Sequence, residues 1–159
     1  MATETILGIS PGTRIMGFAV IKDGELVEWR VKTFKEKWSK EKQGAILSII
    51  TRLIDHFDVK RIALKKIDPL SNTHQLEILI RAIEMLAQKK RISIKRYSLS
   101  DLDIDKRSGK RDGRAKLTER IAERHPELKQ EYLKERNNRK EYYTKMFEAI
   151  AMAERCRET

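Results

Sequence analysis

Apolar and polar positions along the chain switch between two periods, and the switches mark out its elements. Thr5 to Ile9, Arg14 to Lys22 and Glu25 to Phe34 are short apolar-rich runs that read as three strands. Asp23-Gly24 separates the second from the third. Both central positions of a two-residue hairpin turn want positive φ, so this dipeptide predicts an antiparallel pair. From Ser39 to Phe57 the apolar residues Ala45, Ile46, Ile49, Ile50, Leu53 and Ile54 fall on one helical face. Val59 to Ile67 then reads as a short strand centred on Arg61-Ile62-Ala63-Leu64. Asn72 to Lys90 predicts a helix packing through Leu76, Leu79, Ile80, Ile83, Leu86 and Ala87, and Arg91 to Tyr97 another strand. Strand, helix, strand, helix, strand in that order implies parallel pairing through crossovers.

Past Tyr97 the pattern thins. Ser98 to Gly113 is a polar, charged connection. Arg114 to His125 is an amphipathic helix carrying Leu117 and Ile121, and it should stop before Pro126. Glu127 to Arg139 is so highly charged that its pattern leaves helix and coil both open, whereas Lys140 to Cys156 predicts a final helix packed through Met146, Phe147, Ile150, Ala151 and Ala153. No internal repeat or low-complexity linker interrupts the chain. At 159 residues it can bury about two-thirds of its unfolded surface, so 1–159 is expected to be a single α/β domain.

Composition narrows the function classes. Thirty-five Lys and Arg against 24 Asp and Glu give a net charge of +11, a field that attracts polyanions and suits nucleic acid better than neutral metabolites. The same balance also serves solubility alone. The single Cys156 cannot form an internal disulfide, no apolar run approaches membrane-spanning length, and the polar Met1-Ala2-Thr3-Glu4 start lacks a signal-peptide core. The expectation is a cytoplasmic protein with no membrane partner. His56, His74 and His125 are isolated from one another and from Cys156, which excludes a zinc spacing and a Cys-His nucleophile. No glycine-rich phosphate loop ends in Gly-Lys-Ser/Thr. Asp101, Asp103 and Asp105 alternate as in a calcium loop, but Lys106 stands where such a loop needs glycine and Asp112 where it needs glutamate.

Several short stretches carry more specific information. Ile6-Leu7-Gly8-Ile9-Ser10-Pro11-Gly12-Thr13-Arg14, followed by Gly17-Phe18-Ala19-Val20, is the most distinctive; Ile62-Ala63-Leu64-Lys65, Gly113-Arg114-Ala115-Lys116 and Glu148-Ala149-Ile150-Ala151-Met152-Ala153 follow in order. Together with the element order they resemble the RuvC Holliday-junction resolvases of the RNase H-like superfamily over nearly the full length. That resemblance implies a mixed five-stranded sheet, an antiparallel meander plus parallel strands, with helices on both faces. It also implies homodimerisation through helix surfaces, a DNA partner, and four carboxylates in one cleft, because two Mg²⁺ ions clamp the attacking water and the scissile phosphate.

At the four matching positions stand Ser10, Lys65, Lys145 and Glu148: two cations and a hydroxyl where the family has acids, and one acid retained. A surplus positive charge ~5 Å from a divalent ion costs roughly 6 to 7 kcal/mol at an effective dielectric of ~20. The expectation is therefore a site without metal and without Mg²⁺ cofactor, on a nucleic-acid-binding protein that does not cut. Lys66 and Asp68 are alternative occupants of the second position. Lys65, Lys145 and Glu148 either form an internal ion-pair cluster replacing the metals, or Lys145 and Glu148, three apart on a helix, form a surface pair.

Candidate phosphate contacts are Lys65 and Lys66 at the strand end, and Lys106, Arg107, Lys110, Arg111, Arg114 and Lys116 in the densest basic run. Trp29, Trp38, Tyr97, Tyr132, Tyr142 and Tyr143 are too scattered to predict a stacking platform. Asp68, Pro69 and Leu70 lie where the resolvases carry an exposed aromatic that opens the junction. Two other classes compete. One is an Mg²⁺-dependent endonuclease built on Asp68, Glu148 and one of Asp101, Asp103 or Asp105; the other is a homodimeric protein-interaction module using the apolar stripe of Asn72 to Lys90.

Overall fold

Asp23 and Gly24 take positive φ, 51° and 87°, and the turn they make folds two strands into the predicted hairpin. The structure, a computed structural model, describes residues 4–67, 72–98, 100–102, 114–137 and 143–158. Its elements are β1 (Thr5–Ser10), β2 (Ile15–Lys22), β3 (Glu25–Thr33), α1 (Lys40–Phe57), β4 (Arg61–Lys65), α2 (His74–Lys89), β5 (Ser93–Tyr97), α3 (Arg114–Arg124), α4 (Lys129–Asn137) and α5 (Thr144–Arg157). The sheet runs in the order β3-β2-β1-β4-β5. β1, β2 and β3 pair antiparallel, while β4 and β5 add parallel to β1. This is the mixed sheet expected of the chain.

Element boundaries differ from the pattern where single residues close a helix. Ser39 and Thr73 cap α1 and α2 from outside the helices, their side chains accepting the amides of Lys42 and Leu76. Asp58 closes α1 in the left-handed region, and the Val59 amide donates back to the Ile54 carbonyl at 3.0 Å. Val59 and Lys60 therefore belong to the helix exit, and β4 is shorter than the predicted strand. Arg91 does the same after α2, with the Ile92 amide on the Ala87 carbonyl. The charged stretch left open by its pattern is a 3-10 turn over Pro126–Leu128 followed by α4.

Strand alternation divides the core between the sheet's two faces. Leu7, Ile9, Phe18, Val20, Ile62 and Leu64 meet α1 and α2; Ile6, Ala19, Ile21 and Ala63 meet α3 and α5. β1 lies mid-sheet between both layers and is buried at every position. Glycine in β1 and β2 fixes how near α5 can come. A Cβ on Gly8 would stand 2.1 Å from the Ala149 carbonyl oxygen, and one on Gly17 2.2 Å from that of Lys145. The helix backbone lies directly on the sheet there, and Ala149 and Ala153 keep the contact thin. Arg124 pairs with Glu154 at 2.7 Å, tying the end of α3 to α5.

Candidate functional site

Ser10 ends β1, Lys65 ends β4, and Lys145 and Glu148 occupy the first turns of α5. Because β1 and β4 are parallel neighbours, both strand ends open at the carboxyl edge of the sheet, where open α/β sheets put their ligands. Ser10 and Lys65 each fall on the α5 side of the alternation, so their side chains meet Glu148 across the helix–sheet layer.

Glu148 is the centre of this arrangement. Its side chain is 2% exposed, and Lys65 Nζ donates to Oε2 at 2.8 Å from a side chain 11% exposed. Ser10, wholly buried, donates its hydroxyl to Oε1 at 3.1 Å. The carboxylate thus has a cation on one oxygen and a hydroxyl on the other. Lys145 Nζ reaches across to the Pro11 carbonyl at 3.2 Å, holding the β1–β2 turn to the start of α5. Of the two arrangements left open by the sequence, Glu148 takes the internal one, and its cation is Lys65.

These residues do not fit the two Mg²⁺ ions that the fold family implies. A divalent ion wants several oxygen donors, and the only carboxylate in this set already has an ammonium on one oxygen and a hydroxyl on the other. Among the described residues, no three of His, Cys, Asp and Glu converge in a metal-sized group.

Lys66 is exposed just past β4, its amide on the Tyr97 carbonyl at 2.7 Å. Asp101 faces it. The Ser98 amide and hydroxyl hydrogen-bond with Asp101, and these bonds, aided by the Lys66 charge, hold its carboxyl below the ordinary carboxylate range. Asp101 therefore serves as a local cap of the short 3-10 turn Ser100–Leu102. Arg114 and Lys116 lie in the first turn of α3. Lys106, Arg107, Lys110, Arg111, Asp68, Asp103 and Asp105, all named from the sequence, lie outside the described residues. Among the described residues, no helix is long and apolar enough to cross a membrane.

A β3-β2-β1-β4-β5 sheet between α1/α2 and α3/α5 is the RNase H-like fold, in the form the Holliday-junction resolvases share. Thermus thermophilus RuvC superposes with a TM-score of 0.67 at 14% identity, over 94% of this chain and 90% of that one. The yeast mitochondrial Holliday junction resolvase Ydc2 gives 0.63 at 12% identity, over 94% and 75%. The fowlpox virus resolvase in its complex with Holliday junction DNA gives 0.60 at 10% identity, over 97% of both chains. At these identities the likeness is one of fold. No protein-family model and no curated protein sequence matches the chain.

Proposed function

We propose that this protein binds structured or duplex DNA at the carboxyl edge of its sheet and does not cleave it. The observation that carries this reading is the Lys65 ammonium 2.8 Å from Glu148. A built-in cation neutralises the one acid of the set, so that acid neither gathers metal ions nor repels phosphate, and the exposed Lys66 beside it supplies positive charge. The net charge of +11 supports the partner class. Lys66 and the basic residues Lys106, Arg107, Lys110, Arg111, Arg114 and Lys116 supply phosphate contacts, which carry affinity with little sequence preference. The protein acts as a homodimer in this reading, through the outward stripe of α2 on which Ile78 and Ala82 are partly exposed and Met85 is 69% exposed.

A gel-shift titration tests it. Four-way-junction, duplex and single-stranded DNA and duplex RNA are compared at two salt concentrations with Mg²⁺ present. Salt-sensitive shifts with intact strands are expected, strongest for the junction or duplex DNA. Cut product would overturn the absence of catalysis, and no shift at low salt would overturn the nucleic-acid reading.

A further inference from the structure

On the sheet face opposite Glu148 lies a second polar feature. The β1–β2 turn, the end of β3, the segment 34–38 and the starts of α1 and α2 enclose an open cleft of about 1180 Å³. That exceeds the roughly 300–1000 Å³ of ordinary small-molecule pockets. Its charged lining is lopsided: Arg14, Lys35, Lys37 and Lys42 against Glu36. Arg14, Lys35 and Lys37 are exposed, and none of them is in an ion pair with another described residue.

Lys42 is the informative residue. It is 7% exposed, although lysine is rarely buried without a partner. Its ammonium donates to the Glu36 carbonyl at 2.6 Å and sits 5.8 Å from the centroid of the Phe34 ring. One neutral acceptor and a ring face leave donors of a near-buried ammonium unspent, and no carboxylate among the described residues pairs with it. Lys42 lines the cleft, so an anion seated there would lie within reach of its ammonium.

One turn is anchored on both faces. The Pro11 carbonyl accepts Lys145 on the Glu148 side, and the Arg14 carbonyl accepts the Phe34 amide at 2.7 Å on the cleft side. We propose that this cleft holds a nucleic-acid strand by its phosphates, with Arg14, Lys35, Lys37 and Lys42 as contacts, extending around the sheet edge the path that begins at the exposed Lys66; Lys65, named from the sequence as a phosphate contact, is instead held inside by Glu148. The inference rests on the nucleic-acid-binding reading above. The cleft's open form suits a polymer that passes through, and several cations ranged along it suit repeated charges.

The test is the salt dependence of binding to a fluorescein-labelled four-way junction. Removing one cation that meets a phosphate lowers the slope of log K against log salt by about 0.9. The variant Arg14→Gln/Lys35→Gln/Lys37→Gln changes only exposed side chains, and Lys22→Gln/Lys60→Gln/Lys89→Gln removes as many exposed charges from the far side of the molecule. The cleft variant is expected to bind at least tenfold more weakly at moderate salt, with a slope shallower by about two to three, while the far-side variant stays near wild type. Lys42→Met, checked for folding by circular dichroism, should flatten the slope by about one more. Wild-type binding with equal slopes for the cleft and far-side variants would overturn this inference alone. Failure of the wild type to bind would instead overturn the reading on which it rests.

Discussion

At 2% exposure the Glu148 carboxylate has the Lys65 ammonium on one oxygen and the Ser10 hydroxyl on the other. Removing that charge strands an ammonium in a near-dry site, which costs several kcal/mol where a surface pair would cost tenths. Glu148→Gln is therefore expected to destabilise the protein by about 3 kcal/mol in urea unfolding. A change within experimental error would mean that Lys65 finds water or another acceptor. At this scale the sequence is partly readable. The resemblance points to Ser10, Lys65, Lys145 and Glu148, but residues 83 apart carry no sequence signal of contact, so the choice of Lys65 as partner to Glu148 needs the fold. Lys42 is silent in the sequence for a related reason. Its position in the first turn of α1 resembles any solvated lysine, and only the return of the segment 34–38 over it buries the side chain.

Elements are legible wherever two local rules agree. The Asp23-Gly24 turn and flanking apolar runs specify the hairpin, and the apolar faces of α1 and α2 specify those helices to within their caps. Edges slip where one residue serves two elements, as at Asp58 and Arg91, whose left-handed conformations end the helices without a glycine to mark the stop; aspartate favours that region only weakly and arginine does not. Contact between layers is invisible in the pattern. Gly8 and Gly17 read as ordinary small strand residues, yet they admit the backbone of α5. Gly8→Ala and Gly17→Ala are expected to destabilise by more than about 3 kcal/mol or to displace α5, since the added carbon would overlap a carbonyl. Gly44, mid-helix in α1 with nothing within 4 Å of an added Cβ, should respond oppositely. Gly44→Ala should stabilise by about 0.5–1 kcal/mol. Thermal unfolding of the three variants side by side reads both signs in one experiment.

The molecule as a whole pairs the resolvase-like fold with a sheet edge that carries Ser10, Lys65 and Lys145 around the single acid Glu148. Ser10 and Lys65 meet at Glu148 and Lys145 lies one turn before it on α5, so acids placed at these positions should create metal affinity. The variant Ser10→Asp/Lys65→Glu/Lys145→Asp, with Glu148 retained, is expected to gain Mn²⁺-dependent stability that the wild type lacks. At a hundredfold excess over the dissociation constant, binding adds about 2.7 kcal/mol, or roughly 5 to 10 °C in the melting temperature of a domain this size. A calorimetric scan showing no Mn²⁺ dependence would mean that the positions do not share one cleft. The same long-range closure governs how the chain is made. Ser10 and Glu148 are 138 residues apart, so at ribosomal speeds of about 10 residues per second the first strand waits on the order of 10 s for the helix that covers it. A nascent chain therefore leaves the face of β1 that α5 will cover without its helix through that interval.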